Sequence, residues 1–317
     1  MPMVNAYGHA PGLSVPTQRG ELSAPTSATT NIRTTITTDA TEGGGAMLTL
    51  PERLDREERE ETRQPRANPR VAIVMPALNE AAAVGAQVRA ALAHPALRAL
   101  PPARIVVVDN GSDDATAAVA RAAGAEVVSE PRRGYGRACL AGARAAHDAD
   151  ILLLMDADGS DDLADAARVA RLVMDDQADL AMGSRTRGRV ESGALTPQQR
   201  AGNAVATLLM RLLYGARVSD LGPLRAIRRE TLLTLDMREM SYGWSTEMLV
   251  KATRAGLRIV EIPVDYHRRA AGASKVSGTL AGTLRAGWRI LVATLRYARW
   301  RPSASRPREP RVGGSRA

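Results

Sequence analysis

The amino-acid sequence predicts an α/β fold, a mostly parallel sheet with helices on both faces, forming a single domain that ends in an amphipathic helix. Three observations predict it. From position 71 onward, short and almost unbroken apolar runs alternate with helix-length stretches. Strands that are apolar on both faces belong to sheets covered on both faces, and such sheets are parallel. Turn-forming and charged residues fall directly behind the apolar runs, at the edge where open parallel sheets hold their ligands.

The elements follow in order. Residues 71–75, 105–108, 126–128, 151–155 and 180–182 are predicted strands. The stretches between them, 80–93, 113–123, 136–146 and 162–174, are predicted helices joined by right-handed crossovers. Beyond Gly183, residues 197–214 predict a helix with Pro197 in its first turn. Residues 224–227 predict a short strand, 246–255 a helix, 257–264 a strand ending near Pro263, and 278–300 a closing helix. Asn79 is expected to cap the first helix, Ser112 or Asp113 the second, and Asp161 or Asp162 the fourth.

The flanks have a different composition. Residues 1–68 combine a Thr-, Ser-, Gly- and Pro-rich stretch with a dense mixed-charge run, and neither buries enough apolar surface to offset ordering entropy. This region is predicted to be disordered; Met47, after three glycines, is a candidate start. The division that follows is 69–277 for the folded domain, 278–300 for a basic amphipathic helix and 301–317 for a disordered basic tail. Cys139 is the only cysteine, so no intrachain disulfide and no cysteine-rich metal site exist. The N-terminus has no secretory pattern, and no run reaches the ~18 apolar residues of a spanning helix. A cytoplasmic protein is expected, soluble or peripheral at the cytoplasmic face of the membrane.

Charge is unevenly placed. Nine arginines lie between Arg285 and the end against the single acid Glu309, which accounts for nearly all of the net charge of +9. Leu280, Leu284, Trp288, Leu291 and Leu295 form one helical stripe, flanked by Arg285, Arg289, Arg296 and Arg299. Such a helix suits the interface of an anionic membrane; packing on the domain is the alternative. An aromatic content of 3% and the lack of a recognised module argue against nucleic-acid binding.

The strand ends carry the candidate chemistry. The first leads into Pro76-Ala77-Leu78-Asn79-Glu80, and the second into Asp109-Asn110-Gly111-Ser112. Asp109 stands at the ligand edge, where it can accept hydrogen bonds from a base or a sugar; turn chemistry is the alternative. Behind the third strand, Gly134 and Gly136 would let backbone approach a ligand among arginines suited to phosphate. A third glycine at dinucleotide-fingerprint spacing is missing. The fourth strand ends in Asp156-Ala157-Asp158-Gly159-Ser160-Asp161. Adjacent carboxylates repel unless a cation or donors offset them, and oxygen ligands suit Mg²⁺ or Mn²⁺. Such an ion can bridge a diphosphate leaving group, whereas the bland reading is a solvated loop that caps the next helix. Arg185 follows the fifth strand. Later, Arg268, Arg269 and Lys275 surround Gly272 as a candidate phosphate clamp, with His267 read as structural.

Taken in order, the segments 76–80, 109–116, 134–142, 156–158, 183–185, Glu247 and 272–275 resemble family 2 glycosyltransferases of the GT-A fold. The branch they resemble most is the polyprenyl-phosphate (dolichyl-phosphate) mannose and glucose synthases. The likeness implies an inverting hexosyl transfer from a UDP- or GDP-sugar, with a polyprenyl phosphate as first-choice acceptor. It implies that Pro76, Ala77, Asn79, Glu80 and Asp109 hold base and ribose, with Gly134, Ala157 and Arg185 also on the nucleotide-sugar. Asp156 and Asp158 would serve the metal and diphosphate, Arg268 and Lys275 the phosphates, and Glu247 the acceptor, as a base if the acceptor is a hydroxyl. Two positions depart from many relatives: Tyr135 stands where a Lys is common, and Ser160 where a Gln adds a metal ligand. The alternatives are a soluble or glycan acceptor, or a nucleotide-sugar-binding protein without catalysis.

Overall fold

The apolar runs do assemble into one sheet. The computed structural model describes residues 68–101, 104–270, 292, 296, 297, 300 and 301. The predicted disordered region up to residue 67, the tail from 302, and most of the predicted helix 278–300, including its leucine stripe, lie outside them.

In chain order the described elements are β1 (Val71–Ala77), α1 (Val84–Ala93), α2 (Pro95–Arg98), β2 (Arg104–Asp109), α3 (Thr116–Ala122), β3 (Glu126–Ser129), α4 (Tyr135–Ala145) and β4 (Ile151–Leu154). They continue with α5 (Leu163–Met174), β5 (Leu180–Ser184), α6 (Pro197–Tyr214), β6 (Arg225–Arg228), α7 (Arg229–Thr234), α8 (Trp244–Arg254) and β7 (Ile259–Pro263). The strand order is β3-β2-β1-β4-β6-β5-β7. β1, β2, β3 and β4 pair in parallel, as do β5 and β7. β6 is antiparallel to both its neighbours, so the sheet is mixed about one strand.

Alternation along the central strands divides the core in two. Val71, Ile73 and Met75 of β1 join Ile151 and Leu153 of β4 on one face, packed under α1 and α5. Ala72 and Val74 join Leu152 and Leu154 on the other, against α4 and α8. The chain leaves β1 toward β2 on one side and reaches β4 on the other. Their carboxyl ends therefore flank a topological switch point, where such sheets bind ligands.

Helix starts depart from expectation. The predicted helix 80–93 begins at Val84, and 113–123 begins at Thr116. Asn79 does not cap α1: it sits at φ 53, and its side chain reaches the neighbouring loop. Ser112 and Asp113 likewise leave α3 uncapped, and Asp114 accepts from the Thr116 N–H instead. Asp162 does cap α5, accepting from the Asp165 N–H at 2.9 Å. Helix α6 has the predicted bounds, closed by a Thr196–Gln199 capping box before Pro197 and by Gly215 at φ 69.

Candidate active site

The loops behind β1 and β2 are laced together. The Asn79 N–H donates to Ser112 Oγ at 2.9 Å, and Asn79 Oδ1 accepts from the Asp113 N–H at 2.8 Å. The Glu80 N–H donates to Thr116 Oγ1 at 2.8 Å. Asn79 is thus a crosslink between the 76–80 and 109–116 segments. Pro76 and Ala77 form the last turn of β1 beside Val108 and Asp109 of β2. The Asp109 carboxylate accepts a long 3.3 Å bond from Ser112 N–H and stays partly exposed at the sheet's ligand edge.

Asn110 was not singled out in the sequence, yet it organises this edge. Its amide donates to the carbonyls of Glu130 and Arg132, and its Oδ1 accepts from the Gly134 N–H at 2.7 Å. A single buried Asn therefore fixes the loop behind β3 to the end of β2. An Asn before a Gly reads as ordinary turn chemistry, so this role has no local signature.

The carboxylates behind β4 are concentrated, Asp158 and Asp161 buried and Asp156 half-buried. Asp158 is 2% exposed; its Oδ1 accepts from both the N–H and the hydroxyl of Ser160, at 3.0 and 2.6 Å. Asp161 turns back to accept from the Asp156 N–H at 2.9 Å. Burial, then the charges of Asp158 and Asp161, push the Asp156 carboxyl well above the usual carboxylate range. Burial also pushes Asp161 up, to about 7, with Asp158 adding to it. Arg269 and Arg185 act in the opposite direction on Asp156 without cancelling the effect. Ala157 is buried between the two acids.

This donor set fits a hard divalent cation: it has oxygen ligands, an excess of negative charge and a guanidinium already drawn onto Asp158. Among the described residues no three His, Cys, Asp or Glu side chains form a ready cage. An ion here would rest on two carboxylates and complete its shell with substrate or water oxygens, as Mg²⁺ does at phosphates.

The predicted phosphate clamp divides. Arg268 turns outward: its N–H meets Glu191 Oε2 at 2.8 Å and its guanidinium donates to the Ser192 carbonyl. It is Arg269 that enters the site, with Nη2 2.7 Å from Asp158 Oδ2 and 3.0 Å from Glu80 Oε1. His267 faces Asp162 and Glu191, as a structural histidine does. Lys275 and Gly272 lie outside the described residues.

Arg185 is clamped. Its N–H, Nε and Nη2 all meet the carboxylate of Asp220 at 2.8 Å, and its guanidinium lies 5.1 Å from the Tyr266 ring centroid. Burial disfavours its charge, but Asp220 outweighs this and the pKa is raised. Arg185 and Arg200, with Thr186, Gly188, Val190 and Leu195, line a cavity of about 340 Å³. Antiparallel β6 places a further cation at the same end of the sheet, because its first residue, Arg225, pairs with Leu154 of β4 and Met182 of β5. Burial pushes Arg225 down to about 10.

Two expectations change. Glu247 has no exposed surface; its carboxylate meets Lys251 Nζ at 2.7 Å and accepts from the N–H groups of Arg238 and Glu239. It anchors the loop after α7, with both carboxylate oxygens engaged within the fold. Gly134 and Gly136, expected to face a ligand, instead press on that same loop: a Cβ at Gly136 would lie 2.3 Å from the Glu239 carbonyl, and one at Gly134 2.2 Å from that of Met240.

The sequence over 72–235 matches the family model described as glycosyl transferase family 2. The chain belongs to that family. An uncharacterized glycosyltransferase of Mycobacterium tuberculosis is 41% identical over 217 residues, covering 68% of this chain and 93% of the relative. The undecaprenyl-phosphate mannosyltransferase of Micrococcus luteus is 32% identical over 199 residues, covering 58% and 80%. In fold, the chain is similar to glucosyl-3-phosphoglycerate synthase from M. tuberculosis in complex with Mn²⁺, UDP-glucose and phosphoglyceric acid, with a TM-score of 0.57 and 20% identity over 82% and 87% of the two chains. The family 2 chain described here is therefore a glycosyltransferase on the expected α/β sheet.

Proposed function

We propose that this glycosyltransferase moves a hexose, with inversion, from a UDP- or GDP-sugar to a phosphate-bearing acceptor, with a polyprenyl phosphate the first choice. The observation that carries the reading is the gathering of Asp109, Asp156, Asp158 and Arg269 at the carboxyl ends of β2 and β4. Asp109 and the 76–80 segment hold the nucleoside, and Asp156 and Asp158 hold Mg²⁺ or Mn²⁺ at the diphosphate. When bound, the ion offsets charge that grows on the departing nucleoside diphosphate. Arg269 stands ready to meet a phosphate oxygen, and Arg185, fixed by Asp220, presents a preorganised cation at the neighbouring cavity.

The burial of Glu247 supports a phosphate acceptor over a hydroxyl. A phosphate monoester has its second pKa near 6, so its oxygen is already anionic at neutral pH and needs no base. The acid that sequence offered as a base is enclosed. A lipid acceptor is supported further by α6, which leaves Val205, Leu208 and Leu212 between 55 and 70% exposed and has arginines at 200 and 211 but no acid. It accords with the name of the M. luteus relative. Among the described residues no helix is long and apolar enough to cross a membrane. A soluble phosphorylated acceptor is the second reading, favoured by the size of the arginine-lined cavity.

The test is release of nucleoside diphosphate from a panel of UDP- and GDP-hexoses with Mn²⁺ or Mg²⁺. Polyprenyl phosphate, a soluble phosphomonoester and a phosphate-free glycan are each offered as acceptor. Stimulation by polyprenyl phosphate alone supports the first reading, and by the soluble ester alone the second. Stimulation only by the glycan overturns both.

A further inference from the structure

Glycosyl transfer does not by itself require a guanidinium seated where the site's acids need a cation. Oδ1 of Asp158 already accepts two hydrogen bonds from Ser160. Oδ2 is the oxygen that remains, and Arg269 Nη2 holds it at 2.7 Å while also reaching Glu80 Oε1 at 3.0 Å. Both carboxylates are buried, and a buried carboxylate left without a partner is strongly destabilising.

We propose that Arg269 is a resident cation, occupying the divalent ion's place beside Asp158 in the free protein, so that ion binding and release of Arg269 from Asp158 and Glu80 are a single exchange. The proposal rests on the divalent-cation reading above. Two like charges cannot share Asp158 Oδ2 without strong repulsion in a low-dielectric site, so the ion replaces the guanidinium instead of joining it. The surrounding backbone permits this. The His267 N–H donates to the Ser160 carbonyl at 2.8 Å and the Ala270 N–H to the Asp158 carbonyl at 2.9 Å. The segment is thus pinned on both sides of Arg269, and only the side chain has to swing. A diphosphate gives the displaced guanidinium a new anionic partner, which makes ion and nucleotide bind with positive coupling.

The consequence is a lowered ion affinity in the absence of nucleotide, reduced by the fraction of molecules in which Arg269 has left Asp158. The experiment is Mn²⁺ binding to the full chain, read from the EPR signal of free Mn²⁺, without nucleotide and then with UDP or GDP. Arg269→Gln is expected to bind Mn²⁺ about tenfold more tightly than the wild type without nucleotide, and to gain less from the nucleotide. Arg268→Gln removes an equal charge one residue away and is expected to leave Mn²⁺ affinity unchanged. Arg269→Gln should also melt at a lower temperature without Mn²⁺, and the ion should raise its Tm more than that of the wild type. If Arg269→Gln does not fold, Arg269→Lys serves, with a smaller gain of about threefold expected, since a point charge reaches two carboxylates less well. Unchanged or weaker Mn²⁺ binding in the Arg269 variant overturns the exchange, as does an equal gain in Arg268→Gln. A wild type that binds no Mn²⁺ even with nucleotide overturns the cation reading along with it. Glycosyl transfer is measured separately, so failure of the exchange is distinct from failure of the proposed reaction.

Discussion

Two acidic sites in this domain were candidates for chemistry, and the fold treats them in opposite ways. Behind β4, Asp156, Asp158 and Asp161 crowd together, and the carboxyls of Asp156 and Asp161 are pushed upward by burial and then by neighbouring acids, which the nearby arginines do not offset. On α8, Glu247 is more deeply buried and fully answered, with Lys251 at 2.7 Å and two backbone N–H donors. Lys251 is satisfied in turn by the Asp236 carbonyl and lies 4.9 Å from the ring centroid of Tyr297. Burial alone therefore does not mark function. An acid whose charge is answered within the fold supports structure, while one whose charge stays in excess can do work on a ligand.

Substitution separates the two. Asp158→Asn is expected to lower kcat/KM by about 10²–10³, the usual scale for losing one preorganised electrostatic contact to the transition state. Its Tm should change little, since relief of repulsion from Asp156 and Asp161 offsets the lost ion pair with Arg269. A large fall in Tm would show that Asp158 belongs with Glu247. Glu247→Gln should do the reverse, destabilising the domain by about 3 kcal/mol by urea unfolding, because Lys251 is left buried beside a neutral amide. The double variant Glu247→Gln, Lys251→Met should recover part of that loss. Unchanged stability in the single variant, with activity abolished, would restore Glu247 to the acceptor site.

How far each site was legible follows from the range of the signals. The sheet could be read because its strands are apolar on both faces, a local pattern, and the acids behind β4 could be read because they follow the most apolar run. The enclosure of Glu247 could not be read because its partner is four residues on, at a spacing that also describes an exposed helix pair. Arg268 was preferred to Arg269 although a one-residue step at the end of an extended segment reverses the side chain's direction. Arg225 went unnoticed because nothing local says that its strand runs antiparallel. The glycines were recognised as sites of close approach, but the partner is the protein's own loop. Gly136→Ala should accordingly destabilise by about 1–3 kcal/mol, as overpacking does, since the Glu239 carbonyl must move. A thermal melt matching the wild type would mean that the loop yields freely and that Glu247 does not hold it.

The smallest effect is expected at an acid whose charge is answered in water. Asp176 is 44% exposed and accepts from Arg228 at 3.2 Å and Arg258 at 3.1 Å. Its slight burial would raise the pKa, but the two arginines hold it below its ordinary value of 3.8. A carboxyl whose folded-state pKa is depressed contributes stability above its unfolded value, and that contribution is lost as pH falls through the folded one. Asp176→Asn should therefore lower stability by no more than about 0.5 kcal/mol at neutral pH, the scale of an exposed pair after screening. The difference from wild type should close below about pH 4 and shrink in 1 M salt. Neither change would reach Glu247, whose partner has no exposed surface. A gap at Asp176 as large as that at Glu247, or one indifferent to salt, would mean that exposure is not what separates these carboxylates, and the contrast between answered and unanswered charge would have to be drawn on geometry alone.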